Sequence, residues 1–320
     1  MHSALTEEEV LIRDTARRIA SDRLAPLAER LDRGEGRAEF LANLKLLAEN
    51  GFMGLAIRAE YGGSEAGAAA FALAIEEIGY GCAATGVTAS VTNMVGEVIQ
   101  AVGTTEQKAR YLPRLAEGSY AAGAFCLTEA GAGSDPAGMT TRARCDGESY
   151  VLDGEKIYIT SAEYAGVFVV WAVTDPQAPK GKGISCFLVE AGTPGLIIGK
   201  AESKLGQHGS ATNSVIFDKC RVPASSLMGR ENDGFRVAVG ELAGGRIGVA
   251  ALSLGIARAA MDKARAYVKE RRQFGQAIAD FQGVQWMIAD RETVLEAARL
   301  LILSAAAKKD RREPFSREAS

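Results

Sequence analysis

The hydrophobic period changes twice along this chain, and that change restricts the possible fold more than any other feature. From Thr6 to about Gly118 apolar residues recur at helical spacing. From about Ala121 to Val222 they alternate with period two or form short apolar blocks, and after Pro223 the helical spacing returns. Helices, then consecutive short strands, then helices predict an α+β fold rather than alternating βαβ units. The expected parts are an N-terminal all-α domain (1–120), a middle antiparallel β-barrel or sandwich domain (121–226) and a C-terminal α-bundle (227–320), incomplete because only its first two long helices are there.

Local signals refine this plan. Thr6 followed by Glu9 forms a capping-box start, and Val10, Ile12, Ala16, Ile19 and Leu24 continue at helical spacing until Pro26, which is expected to kink or end the helix. Further helices are predicted over 40–50, 68–80, 87–102 and 105–116, with Glu60-Tyr61-Gly62-Gly63-Ser64 as a turn. Asp153-Gly154 reads as a hairpin turn between two strands, and Asp146-Gly147 as another. Strands are predicted over 167–173, 184–189 and 213–217. One very long helix is expected over 234–271, tolerating Gly244, Gly245 and Gly248. A second, over 276–309, carries a buried stripe of Ile278, Phe281, Val284, Met287 and Ile288, and Trp286 is also expected in the core. Two such helices leave apolar faces that need partners.

Composition bounds the function. A net charge of -3 offers no concentrated basic surface for nucleic acid, and no apolar run reaches membrane-spanning length. The first ten residues lack the pattern of a signal or transit peptide. Five scattered cysteines (Cys82, Cys126, Cys145, Cys186, Cys220) form no CxxC pair and read as small apolar fillers in a reducing cytoplasm. With only His2 and His208, metal or triad chemistry has little material.

Three stretches carry chemistry. In Phe125-Cys126-Leu127-Thr128-Glu129-Ala130-Gly131-Ala132-Gly133-Ser134-Asp135 a strand runs into a loop of small residues, which lets backbone N–H groups approach an anion. It is neither GxGxxG nor a Walker loop. Tyr158 and Thr160 flank Ile159 at a strand end, two residues apart and thus on one face, able to stack on and hydrogen-bond to a planar ring. Around Arg271, Phe274 and Gln282, an arginine at a helix end is suited to phosphate oxygens.

In this order and separation the three stretches resemble the acyl-CoA dehydrogenases, most of all the short-chain, butyryl-CoA branch. Glu60-Tyr61-Gly62-Gly63-Ser64, Gly206 to Thr212, Cys220 to Pro223 and Gly245 to Ala250 match as well, so the resemblance covers essentially the whole chain. It implies FAD-dependent α,β-dehydrogenation of an acyl-CoA thioester, short or branched chains favoured. Phe125 to Ser134 would line the flavin, with Thr128 near its ring, Gly133 in the loop and Ser134 near pyrophosphate and acyl-CoA. Tyr158, Ile159 and Thr160 would lie beside the ring, and Arg271, Phe274 and Gln282 would serve the FAD of a neighbouring subunit. The implied assembly is a homotetramer, a dimer of dimers, with an electron-transferring flavoprotein as acceptor. Gly245 and Arg246 match positions near the bound thioester.

The resemblance also exposes a gap. Most relatives carry the catalytic glutamate near the C-terminus, in a segment absent here, so these 320 residues are expected to be truncated and inactive alone. A minority place the base where Gly245 stands. Glu241, one turn earlier, is about 6 Å along the helix and a poor substitute. Glu129 reads as structural. The competing expectations are a non-catalytic acyl-CoA- or flavin-binding subunit of a hetero-oligomer, and a flavin oxidase or monooxygenase on the same fold.

Overall fold

The computed structural model describes residues 5–320, so His2 lies outside the described residues. Six helices come first: α1 (Glu7–Ile19), α2 (Ala25–Asp32), α3 (Arg37–Glu49), α4 (Gly67–Gly81), α5 (Ala83–Val102) and α6 (Thr105–Ala116). Eight strands follow: β1 (Ala122–Cys126), β2 (Arg142–Asp146), β3 (Ser149–Thr160), β4 (Ala165–Val173), β5 (Ile184–Glu190), β6 (Leu196–Ala201), β7 (Thr212–Pro223) and β8 (Leu227–Met228). Then come α7 (Gly234–Glu270), a hairpin of β9 (Arg272–Gln273) with β10 (Gln276–Ala277), and α8 (Gln282–Asp310). The order is α, then β, then α, as the changing period predicts.

The Thr6 capping box forms: its Oγ1 accepts from Glu9 N at 3.1 Å, and its own N–H donates to Glu9 Oε2 at 2.7 Å. Pro26 does not end the helical path. A π-helical turn, Ala20–Leu24, precedes it, and the Ala25 N–H bonds back to Ala20 O. The wider turn absorbs the register change where proline supplies no donor.

Contacts divide the chain into two compact units, the first gathering residues up to Glu29, Ala66–Val87 and Arg246–Ser320, the second Arg30–Glu65 and Thr88–Gly245. The first unit is helical. Gly255 of α7 lies against α4 so closely that a Cβ would come within 2.1 Å of Glu76 O, which only glycine avoids. Within the apolar α4, Glu76 and Glu77 are buried and held by arginines from three helices. Arg17 reaches Glu77 at 2.8 Å; Arg258 reaches Glu76 at 2.7 Å and Glu77 at 3.0 Å; Arg299 reaches Glu76 at 2.7 Å. Asp310, closing α8, accepts from Ala68 N at 2.6 Å and Ala69 N at 3.0 Å, satisfying donors that α4 leaves free at its start.

The second unit is built on one sheet of order β6-β7-β3-β2-β4-β5-β8, with β1 added on β4. Most pairs are antiparallel, but β1 and β2 join β4 in parallel. The reason is topological: the β2–β3 hairpin intervenes before the chain returns as β4, supplying the crossover that parallel neighbours need. The strand β4 is buried on both faces, which is why it reads as a continuous apolar run. Val167, Val169 and Trp171 enter a core shared with Val95, Ile99 and Leu112 of α5 and α6, while Phe168, Val170 and Ala172 enter a core with Leu152, Phe187 and Phe217.

Several expectations are corrected. Asp153-Gly154 is not a hairpin turn. It lies inside the unbroken β3, opposite a bulge of β7 at Asp218 and Lys219, where the register shifts between Leu152 and Gly154 and Asp153 accepts from Lys219 N at 2.9 Å. The hairpin turn follows Asp146, over Gly147 and Glu148, since Asp146 pairs with Ser149. The second long helix starts at Gln282, not 276, because Gln276 and Ala277 pair with β9 instead. Trp286 and Met287 are exposed rather than core, as no described element covers that face of α8. Cys145, near the end of β2, is exposed, while the other four cysteines are buried. Finally, α7 does reach membrane-spanning length and apolarity, with a window of mean hydropathy 1.4; half of that window is buried inside the protein, as a core helix requires.

Candidate functional site

The site begins where β1 ends. Cys126 and Leu127 are buried on opposite sides of the sheet, one in each core, which fixes the path of the chain as it leaves the strand. Glu129 and Ala132 then bond to each other in both directions, at 3.2 and 3.0 Å, making a tight loop over Ala130 and Gly131. An added Cβ at Gly131 or Gly133 would meet nothing within 4 Å, so the loop backbone is open on its outer side. Ala132 is buried beneath, and Gly133 and Ser134 are exposed.

The second stretch is brought directly against the first. Ile157 N donates to Thr128 O at 2.9 Å, tying the loop to β3. One residue on, Tyr158 sits at φ 57 within a bulge of β3, between Lys156 and Ile159. A bulky residue in the left-handed region is a strained arrangement, of a kind that collects at functional positions. Its ring is 62% exposed, while Ile159 is buried and Thr160 half-buried. Beyond it, Ser161 Oγ donates to Thr88 Oγ1 at 3.2 Å, and Thr88 meets Ser210 at 3.0 Å, a buried hydroxyl chain that secures the strand end.

Under the loop lies a residue that sequence reasoning missed. Lys156 is fully buried and donates to Glu129 Oε1 at 2.8 Å, to Leu127 O at 3.1 Å and to Met139 Sδ at 3.7 Å. Glu129 also accepts from Thr140 N at 2.6 Å, Thr140 Oγ1 at 2.8 Å and Thr141 N at 3.0 Å. Burial opposes ionisation of Glu129, but the Lys156 charge and these donors outweigh it and hold its pKa at about 2. Burial pulls the Lys156 pKa below its ordinary value, and the Glu129 carboxylate at 2.8 Å opposes this. Phe125, half-buried, packs at a 45° tilt against Trp171, ring centroids 4.3 Å apart, and the Trp171 indole donates to Gly234 O at 2.8 Å.

The remaining predicted residues lie elsewhere. In the second unit Gly245 of α7 faces α5, where a Cβ would come within 2.8 Å of Met94 Sδ. Glu241 is half-buried one turn earlier. Arg246 belongs to the first unit and donates to Ser320 Oγ at 2.8 Å. Arg271, Phe274 and Gln282 are also in the first unit and exposed. Phe274 and Gly275 form the β9–β10 turn with consecutive positive φ values of 52 and 81, leaving the Phe274 ring 93% exposed.

Three family matches cover nearly the whole chain: the acyl-CoA dehydrogenase N-terminal domain over residues 6–119, its middle domain over 124–220 and its C-terminal domain over 232–320. The chain is 44% identical to an acryloyl-CoA reductase (NADH) of Anaerotignum propionicum, across 100% of this chain and 81% of that protein. It is 41% identical to a short-chain specific acyl-CoA dehydrogenase of Clostridium acetobutylicum, across 99% and 83%. Among solved structures, butyryl-CoA dehydrogenase of Megasphaera elsdenii superposes with a TM-score of 0.94 at 37% identity, covering 100% of this chain and 84% of that one. A chain from work on the electron transferring flavoprotein of Acidaminococcus fermentans gives 0.96 at 42%, covering 100% and 83%. PigA, solved with FAD and proline, gives 0.91 at 28%, again covering 100% and 83%. The chain belongs to the acyl-CoA dehydrogenase family of flavoprotein oxidoreductases.

Proposed function

We propose that the protein binds FAD along the loop from Phe125 to Ser134 and the strand end Tyr158-Ile159-Thr160, and dehydrogenates a short or branched acyl-CoA at the α,β position. The observation that carries this reading is the junction at Thr128 O and Ile157 N, which sets an open glycine loop beside an exposed, strained Tyr158. These residues fit a flavin nucleotide: the loop leaves room for pyrophosphate near Gly131 and Gly133, and the Tyr158 ring offers a flat face. Bound there, the flavin supplies the hydride acceptor. The chain contributes seating, orientation and exclusion of water around the thioester. Ser134, Gly245 and Arg246 are assigned to the acyl-CoA.

Glu129 does not serve as base in this reading, because its oxygens are committed to Lys156, Thr140 and Thr141. Glu241 stays the low-ranked alternative. The likeness at 44% identity to an acryloyl-CoA reductase supports a second reading, in which the same site runs towards reduction of an α,β-unsaturated acyl-CoA. We further assign Arg271, Phe274 and Gln282 to the flavin of a second subunit in a homotetramer, an electron-transferring flavoprotein as redox partner, a cytoplasmic location and a place in fatty acid metabolism. We also propose the division 1–120, 121–226 and 227–320, which the family matches over 6–119, 124–220 and 232–320 support.

The test is reconstitution with FAD followed by anaerobic titration with acyl-CoAs from butyryl to palmitoyl. Bleaching of the visible flavin band by short or branched substrates would establish dehydrogenation and overturn the expectation that these 320 residues are inactive alone. A yellow protein whose spectrum shifts without bleaching would move the chain to a non-catalytic binding role. Peroxide release under oxygen would move it to an oxidase.

A further inference from the structure

Lys156 and its neighbour Ile157 together grip three consecutive residues of the loop. The Lys156 ammonium takes Leu127 O and the Glu129 carboxylate, and the Ile157 N–H takes Thr128 O. The third ammonium proton is directed to Met139 Sδ at 3.7 Å, so Lys156 also ties in the far side of the loop. Glu129 extends the grip to Thr140 and Thr141. All of these contacts join groups of this chain to one another.

We infer that the buried Lys156–Glu129 pair is a positioning device, which holds Leu127 to Ala132 in its binding shape in the absence of flavin and so raises affinity for it. The inference rests on the assignment of this loop to FAD. Its physical content is preorganisation: a loop already ordered loses little conformational freedom when the ligand arrives. Lys156 itself acts through the loop and needs no contact with the flavin.

Two measurements test it. The first uses the unaltered protein: hydrogen exchange at the Glu129, Ala132 and Ile157 amides, with and without FAD. Strong protection in the apoprotein, changed little by FAD, is expected. Rapid exchange in the apoprotein that only FAD suppresses would overturn the inference. The second compares the K156M/E129Q double variant, neutral at both positions, with E77Q in the other unit as a control for general destabilisation. The double variant is expected to bind FAD about tenfold more weakly, with an altered visible circular dichroism of the bound flavin, while E77Q binds as the unaltered protein does. Equal affinity and an unchanged flavin signal in the double variant would overturn it. If the unaltered protein fails to bind FAD at all, the functional assignment fails instead; apoprotein exchange still reports whether the loop is held.

Discussion

Each unit buries acidic side chains, and it does so in a different way. In the first, Glu76 and Glu77 sit side by side on α4 under three arginines whose guanidinium groups remain partly in water, with side chains 21%, 28% and 52% exposed. In the second, Glu129 meets one lysine that is 0% exposed. The arginine cluster is redundant: each carboxylate has two guanidinium partners, and the exposed stems keep part of their hydration. The lysine pair shows no second charged partner among the described residues and is almost closed to solvent. Redundancy suits a joint between helices drawn from distant parts of the sequence. A single dry pair suits a loop that has to hold one shape.

The comparison breaks most visibly at Lys156. Lys156→Met leaves the Glu129 carboxylate buried without its counter-charge, and a loss of about 3–5 kcal/mol is expected in urea unfolding. Acid should reach the same pair next. The folded pKa of Glu129 lies at about 2, below the unfolded value of 4.5, so its contribution is full above 4.5 and disappears as pH falls towards 2. The expected decline, on the order of 3 kcal/mol across that window, is measured by unfolding at successive pH values and should be missing in E129Q. In the arginine cluster Glu76→Gln should cost less, about 2 kcal/mol, because Glu77 still holds Arg17 and Arg258. Replacing Tyr158 by glycine should go the other way and stabilise the apoprotein by about 1 kcal/mol, since glycine adopts φ 57 without strain. Smallest is Arg17→Ala, half exposed and under about 1 kcal/mol. A cost equal to that of Lys156→Met would erase the contrast between the two groups.

Much of the fold was legible because its signals are local or periodic. The capping box at Thr6, the boundaries of α6 and the doubly buried β4 follow from spacing alone. The site was half legible. Cys126, Leu127 and Thr128 lie where the strand-to-loop reading puts them, and Tyr158 is exposed beside them. Lys156 escaped for a traceable reason. Taking Asp153-Gly154 as a turn ends the strand there and restarts the parity count. Kept unbroken, the alternation from the buried Leu152 through exposed Asp153 and Glu155 places Lys156 on the inner face. A lysine at an inward position is itself a signal, since it has to be paired. The Glu76-Glu77 cluster was hidden otherwise, because its arginines come from positions 17, 258 and 299 and no local pattern connects them. The sheet's parallel pairs were equally invisible, being set by chain path rather than composition.

The central claim is that the glycine loop and the strained strand end beside it seat a flavin. It is tested most directly by titrating FAD into the unaltered protein and into Y158G, following the visible absorbance. The account predicts one FAD per unaltered chain and binding about tenfold weaker in the glycine variant, even though that variant is the more stable apoprotein. FAD binding that is unaffected by Y158G, or absent from the unaltered protein, would contradict it.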